Sequence, residues 1–92
     1  MAYNRNVCKT FNLTVTNSKQ ALADQECSEV IVLPPKDTNF YDYRNPNVGF
    51  LVPGDTVFTF RGLTNANELS ASNSGGGVLS YRTQFFSHLP GY

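Results

Sequence analysis

The sequence has no tryptophan, few charged residues and no long apolar run. The last two shortages argue against nucleic acid and membranes as partners. Only 15% of the 92 residues are charged, and seven basic residues balance seven acidic ones. Clustered positive charge dominates non-specific nucleic-acid binding, and the basic residues here are scattered, so we expect no nucleic acid as a partner. No apolar segment approaches the roughly 20 residues that cross a membrane, so we expect no membrane contact. Near-zero net charge lowers the barrier to self-association, which favours a homo-oligomer.

Cysteine is also scarce, with Cys8 and Cys27 as the two examples. Their spacing matches neither a metal site nor a redox motif, and one pair is too little for a disulfide scaffold. We predict two free thiols, both buried as small hydrophobic side chains, with a Cys8–Cys27 disulfide as the alternative. The first residues carry no features of a secretion signal, so we expect synthesis in the cytosol.

The apolar residues that are present follow the two-residue period of half-buried β-strands. Phe11, Leu13 and Val15 alternate with polar residues in a predicted strand at 9–17. The next predicted strand, 28–33, is an unbroken β-branched run, which suggests burial on both faces. Further strands are predicted at 40–43, 48–52, 55–62, 68–71 and 78–87.

Turn residues divide these strands. Pro53-Gly54-Asp55 predicts a hairpin that joins 48–52 to 55–62, with Gly54 supplying a positive φ and with Phe58 and Phe60 facing inward. The glycine-rich stretch 72–77 predicts a second hairpin loop. Helical periodicity is confined to 18–26, where one or two helical turns and a polar loop fit equally well.

About seven short strands at intervals near ten residues indicate an all-β fold. We predict a small antiparallel β-sandwich or jelly-roll-like barrel, formed as a single domain over residues 1–92.

Catalytic chemistry has little support in the sequence. The single histidine, His88, has no acid or nucleophile beside it, and lone histidines are mostly surface or packing residues. Asp37, Asn39 and Asp42 lack the spacing of a calcium loop. We therefore predict that the chain is not an enzyme and holds no catalytic, cofactor or metal site.

Tyrosine offers a different possibility. Four residues, Tyr3, Tyr41, Tyr43 and Tyr92, could form a platform on which sugars stack. The alternative, which the absence of tryptophan favours, is that these rings pack in the core or at subunit contacts.

Two segments of the C-terminal half carry a family resemblance. Residues 58–65 read Phe-Thr-Phe-Arg-Gly-Leu-Thr-Asn, and residues 81–87 read Tyr-Arg-Thr-Gln-Phe-Phe-Ser. Together they resemble small virion structural proteins of tailed bacteriophages, especially phages of marine cyanobacteria. The resemblance implies a β-sandwich located in the virion that binds the major capsid protein or other virion proteins as a capsid decoration protein.

A virion protein of this kind needs segments that touch the shell. The short terminal segments 1–8 and 88–92 are the candidates, with Tyr3, Arg5, Leu89 and Tyr92 as the expected assembly contacts. A carbohydrate-binding module for host attachment and a tail accessory protein are the alternative functions.

Overall fold

The computed structural model describes the backbone of residues 6–86 and the side chains of residues 8–85. Over this range the chain forms eight β-strands and one short 3-10 helix, Ala66–Glu68, with no α-helix. The strands are β1 (Asn6–Thr14), β2 (Gln20–Ala21), β3 (Glu29–Leu33), β4 (Thr38–Asp42), β5 (Asn45–Val52), β6 (Phe58–Arg61), β7 (Leu69–Ser72) and β8 (Val78–Phe86). In the described part of the chain, no helix is long and apolar enough to span a membrane.

The eight strands form two antiparallel sheets of four strands each. The strand order is β1-β8-β3-β6 in the first sheet and β2-β7-β4-β5 in the second. The first strand therefore pairs with the last, the second with the seventh, the third with the sixth and the fourth with the fifth. This order is the jelly-roll topology, so the predicted all-β antiparallel sandwich is confirmed, with eight strands instead of about seven.

The alternation seen in the sequence gives each strand one inward face. β1 and β8 pair along their whole lengths, and Phe11 lies opposite Tyr81, with ring centroids 5.3 Å apart. Leu13 lies opposite Leu79, and Val15 is buried just beyond the end of β1. The predicted alternation of β1 is confirmed, although β1 begins and ends three residues earlier than expected.

The core lies between the two sheets and consists mainly of aliphatic side chains and two aromatic rings. It comprises Val15, Leu22, Cys27, Val30, Val32, Phe40, Val52, Leu63, Ala66, Leu69, Ala71, Leu79 and Tyr81. The Tyr81 hydroxyl is the polar group of this set, and it accepts a hydrogen bond from the Ala23 backbone N–H at 2.8 Å. Burial raises the pKa of Tyr81, so the ring stays neutral inside the core.

The prediction that residues 28–33 are buried on both faces is wrong. Val30 and Val32 are fully buried, but Ile31 is half-buried and Leu33 is 44% exposed. The reason is that β3 is central in its sheet but only one face of that sheet is covered by the second sheet. An unbroken apolar run thus leaves part of its surface facing outward.

The predicted hairpin between 48–52 and 55–62 is also wrong. β5 pairs with β4, β6 pairs with β3, and Pro53-Gly54-Asp55 carries the chain from one sheet to the other. The positive φ falls on Asp55, at 60°, and not on Gly54. Glycine at position 54 instead allows the close approach of two backbone segments, because a Cβ there would lie 2.8 Å from Lys36 Cα.

Two other connections differ from expectation for the same reason. The glycine-rich loop 72–77 joins β7 to β8 in different sheets, so it is not a hairpin loop. The stretch 18–26 contains the two-residue strand β2 and otherwise forms a loop, so the helical alternative is wrong. In both places the local sequence indicates a reversal or a break but does not say which strands become neighbours.

The two cysteines are both free, so the disulfide alternative is wrong. Cys27 is buried, as predicted, whereas Cys8 is exposed. Desolvation, with a smaller contribution from the negative charge of Glu68, raises the pKa of Cys27 to about 11. Cys27 is therefore a protonated core residue at neutral pH.

Candidate assembly surface

The sandwich is open along the side formed by β5 and β6. Each is an edge strand of its sheet, and the two edges meet through phenylalanine rings. The centroid of Phe50 on β5 lies 5.0 Å from that of Phe58 and 6.0 Å from that of Phe60, both on β6. This side of the molecule is held together by ring contacts between two sheets and not by backbone pairing.

The rings form a continuous row from the core to the surface. Phe40, opposite Phe50 in the β4–β5 register, is 1% exposed and lies 5.1 Å from Phe60. Phe50 is 49% exposed. We call the recess at the outer end of this row the phenylalanine cleft. It has a volume of about 280 Å³ and is lined by Phe50, Phe58, Thr59, Phe60 and Arg61.

A second recess lies on the outer face of the first sheet, and we call it the outer groove. Its volume is about 200 Å³. Val57, which is 64% exposed, lines this groove, while its neighbour Phe58 lines the phenylalanine cleft. The groove is lined by Thr10, Ile31, Val32, Leu33, Val57, Ser80, Tyr81 and Arg82. The edge strand β6 therefore begins between two apolar recesses.

The neighbouring edge strand β5 is exposed over nearly its whole length. Every residue from Asn45 to Leu51 is exposed, and only Val52 is buried. Val48 is 70% exposed and Leu51 is 53% exposed. The β4–β5 register shifts after Phe40, so β5 bulges instead of running as a regular edge.

Two arginines near the open side are paired with carboxylates. Arg61 Nε donates to Glu29 Oε2 at 3.1 Å across the β3–β6 pair. Arg44, two residues after the end of β4, contacts Asp42 at 3.0 Å and Glu68 at 3.7 Å. The phenylalanine cleft therefore presents apolar rings beside one arginine, Arg61, whose charge is paired.

The two described tyrosines of the proposed sugar platform each have a cation against the ring. The Lys19 ammonium lies 4.2 Å from the Tyr41 ring centroid and also donates to the Pro46 carbonyl oxygen. The Arg44 guanidinium lies 4.6 Å from the centroid of Tyr43, which is 61% exposed. In both cases a cation–π contact occupies a ring face that a sugar would need.

The four expected assembly contacts and the single histidine lie outside the described part of the chain. These are Tyr3, Arg5, His88, Leu89 and Tyr92. Their roles as assembly contacts, and the lack of a catalytic role for His88, stay predictions.

The structure gives ordinary roles to the carboxylates that were considered as calcium ligands. Asp37 Oδ1 accepts a hydrogen bond from the Gly54 N–H at 2.9 Å, and Asp42 pairs with Arg44. Among the described residues, no group of three or more His, Cys, Asp and Glu side chains could hold a metal ion.

Sequence reasoning missed the phenylalanine cleft as a surface. It correctly predicted that Phe58 and Phe60 face inward, but it assumed that inward-facing side chains are buried. Phe50 and Leu51 are adjacent large apolar residues that point to opposite faces of the strand, so the sequence indicates that one of them, Leu51 on the outward face, is exposed. It carries no signal for the exposure of Phe50, which faces inward opposite Phe40 and is half exposed because β5 is an edge strand.

Fold and surface together define a small jelly-roll β-sandwich with an apolar open edge. Comparisons with protein family models, with curated proteins and with solved structures found no match to the chain.

Proposed function

We propose that this chain is a non-enzymatic structural protein of a tailed-bacteriophage virion, where it decorates the capsid shell and stabilises it. The observation that carries the proposal is the phenylalanine cleft, with half of Phe50 exposed beside Phe58 and Phe60. Exposed apolar surface of this kind marks a site of protein–protein contact. Double-sheet jelly rolls are also a recurrent architecture of viral capsid proteins.

The exposed ring of Phe50 gives the open edge a measurable affinity for a partner. Phe50 is 49% exposed, which is about 100 Å² of the roughly 200 Å² of such a side chain. Covering that area contributes about 2.5 kcal/mol at about 25 cal/mol per Å². Val57 and Leu51, both more than half exposed, add to the gain when a partner covers them. A neutral, compact module with such an edge is suited to binding a protein shell.

The test is co-purification with particles. Virions of the parent phage are purified, and the chain is sought among their proteins by mass spectrometry. Its absence from purified virions would rule out the proposal. Its presence allows the second step, which is the rebinding of recombinant protein to particles from which the chain has been stripped.

A pair of variants then asks whether the open edge makes the contact. Phe50→Ser is expected to lower the particle-bound fraction, because it removes the exposed ring of the phenylalanine cleft. Val78→Ser is the matched control, since Val78 is 52% exposed but lies at the start of β8, paired with Thr14 on β1. Equal binding of both variants and wild type would exclude the cleft as a contact between proteins on the particle. Circular dichroism and thermal melting confirm that each variant is folded.

A further inference from the structure

The four edge strands of the sandwich differ in how well they are protected against pairing with another chain. β1 carries Lys9 on its inward-facing row, opposite the buried Thr83. β5 contains Pro46 and a register shift, and β2 has only two residues. Inward charges, proline, bulges and very short strands are the features that block edge-to-edge association.

The edge strand β6 has no such block beyond its modest length. It contains no proline, its pairing with β3 is regular, and its one charge, Arg61, lies on the outward row and pairs with Glu29. Its free side borders the phenylalanine cleft, which is lined by all four residues of β6 and by Phe50, whereas the outer groove lies over β1, β8 and β3. An added strand places alternate side chains on opposite faces, so its inward side chains would cover the cleft.

We propose that the strand added at β6 is β6 of a second copy, paired antiparallel about a two-fold axis at Thr59. This deepens the function proposed above, on which it rests, by naming the partner of the open edge. The product is a continuous eight-stranded sheet made of two first sheets. The contact is isologous, as expected for a closed dimer.

The side-chain pattern of β6 selects this register. Opposite residues of an antiparallel pair share a face, so an inward residue must face an inward residue. With Thr59 opposite the partner's Thr59, Phe58 lies opposite the partner's Phe60 and each phenylalanine has a phenylalanine partner. A shift by two residues in either direction leaves one of the two rings without an aromatic partner.

The charges also fit this register. Arg61 lies opposite the partner's Val57, where its aliphatic stem covers apolar surface and its head stays with Glu29. The two arginines are four residues apart along the strands, or about 13 Å, which exceeds the Debye length of about 8 Å at physiological salt. The pairing therefore brings no like charges together.

The size of the contact predicts its strength. β6 has four residues, and the half-exposed Phe50 contributes only about 100 Å² of apolar area. A stable complex covers about 800 Å² on each partner, so the dimer is weak in dilute protein. Copies held side by side on a shell have a high effective concentration, which favours the same contact there.

The experiment measures the sedimentation of the full chain over a range of concentrations, in reducing buffer to keep Cys8 from cross-linking. Wild type is expected to shift from monomer to dimer as its concentration rises toward about 1 mM. Thr59→Lys and Thr59→Glu each place like charges opposite one another at the two-fold axis, and each is expected to weaken the dimer by roughly tenfold or more. An equimolar mixture of the two is expected to recover the dimer, because a lysine then faces a glutamate.

Thr14→Lys is the matched control, since Thr14 is an exposed threonine on β1, at the opposite edge of the same sheet. It is expected to dimerise as wild type does. A wild type that stays monomeric at all concentrations, a Thr59→Lys variant that associates like the control, or a mixture that fails to recover would each overturn the β6 contact. A chain that co-purifies with virions but never dimerises would refute this inference alone, and a dimer absent from virions would refute the proposed function alone.

Discussion

Replacing Phe40 and Phe50 separately by alanine tests the architecture of the open edge. The two residues are of the same type, face each other in the β4–β5 register and both belong to the ring row, yet Phe40 is 1% exposed and Phe50 is 49% exposed. Phe40→Ala is expected to lower the free energy of unfolding by about 3–5 kcal/mol, since it leaves a cavity next to Phe60. That is a large share of the roughly 5–15 kcal/mol of a small domain.

Phe50→Ala is expected to cost less, because only about half of the ring is removed from water. The buried half, about 100 Å², corresponds to at most about 2.5 kcal/mol. Urea unfolding followed by circular dichroism measures both variants against wild type at low protein concentration, where self-association does not contribute. Equal losses for the two variants, or a greater loss for Phe50→Ala, would show that the β5 edge is not open and would remove the basis of the assembly surface.

Three further predictions concern the cysteines and the turn at Gly54. Because the pKa of Cys27 is raised from 9.0 to about 11 on folding, the stability that the protonated thiol contributes is complete below pH 9 and is lost as the pH rises to about 11; Cys27→Ala should flatten that part of a stability–pH curve measured by urea unfolding. In the native protein a thiol reagent at pH 8 should modify one cysteine rapidly, the exposed Cys8, and the second only after denaturation; two fast thiols, or one that survives in Cys8→Ser, would contradict the burial of Cys27. Gly54→Ala should lower the unfolding free energy by about 1–3 kcal/mol, because the added Cβ would lie 2.8 Å from the Lys36 backbone, and a thermal melt unchanged from wild type would refute that close approach.

Period-two alternation was enough to predict which side chains face the core. Phe11 and Leu13 on β1 and Phe58 and Phe60 on β6 all face inward as expected. This works because the direction of a side chain in a strand depends on local backbone geometry, which a few consecutive residues determine.

Strand partners could not be predicted in the same way. Pro53-Gly54-Asp55 reverses the chain, but a reversal within one sheet and a crossing between two sheets have similar turn sequences. Which one occurs depends on the pairing of β4 with β5 and of β3 with β6, and those contacts join residues distant in the chain. The error at Cys8 has a different cause: it was expected to be buried because of its residue type, although alternation from Phe11 places it on the outward row of β1.

At the candidate site, some features follow from the sequence and others depend on the tertiary structure. The sequence by itself determined that Phe58 and Phe60 share a face, that the chain has no net charge at neutral pH and that its strands alternate, because each of these is a property of composition or of neighbouring residues. Only the tertiary structure decided that β6 and β5 are edges and that Phe50 completes a cleft there, because exposure at an edge depends on the order in which distant strands pair.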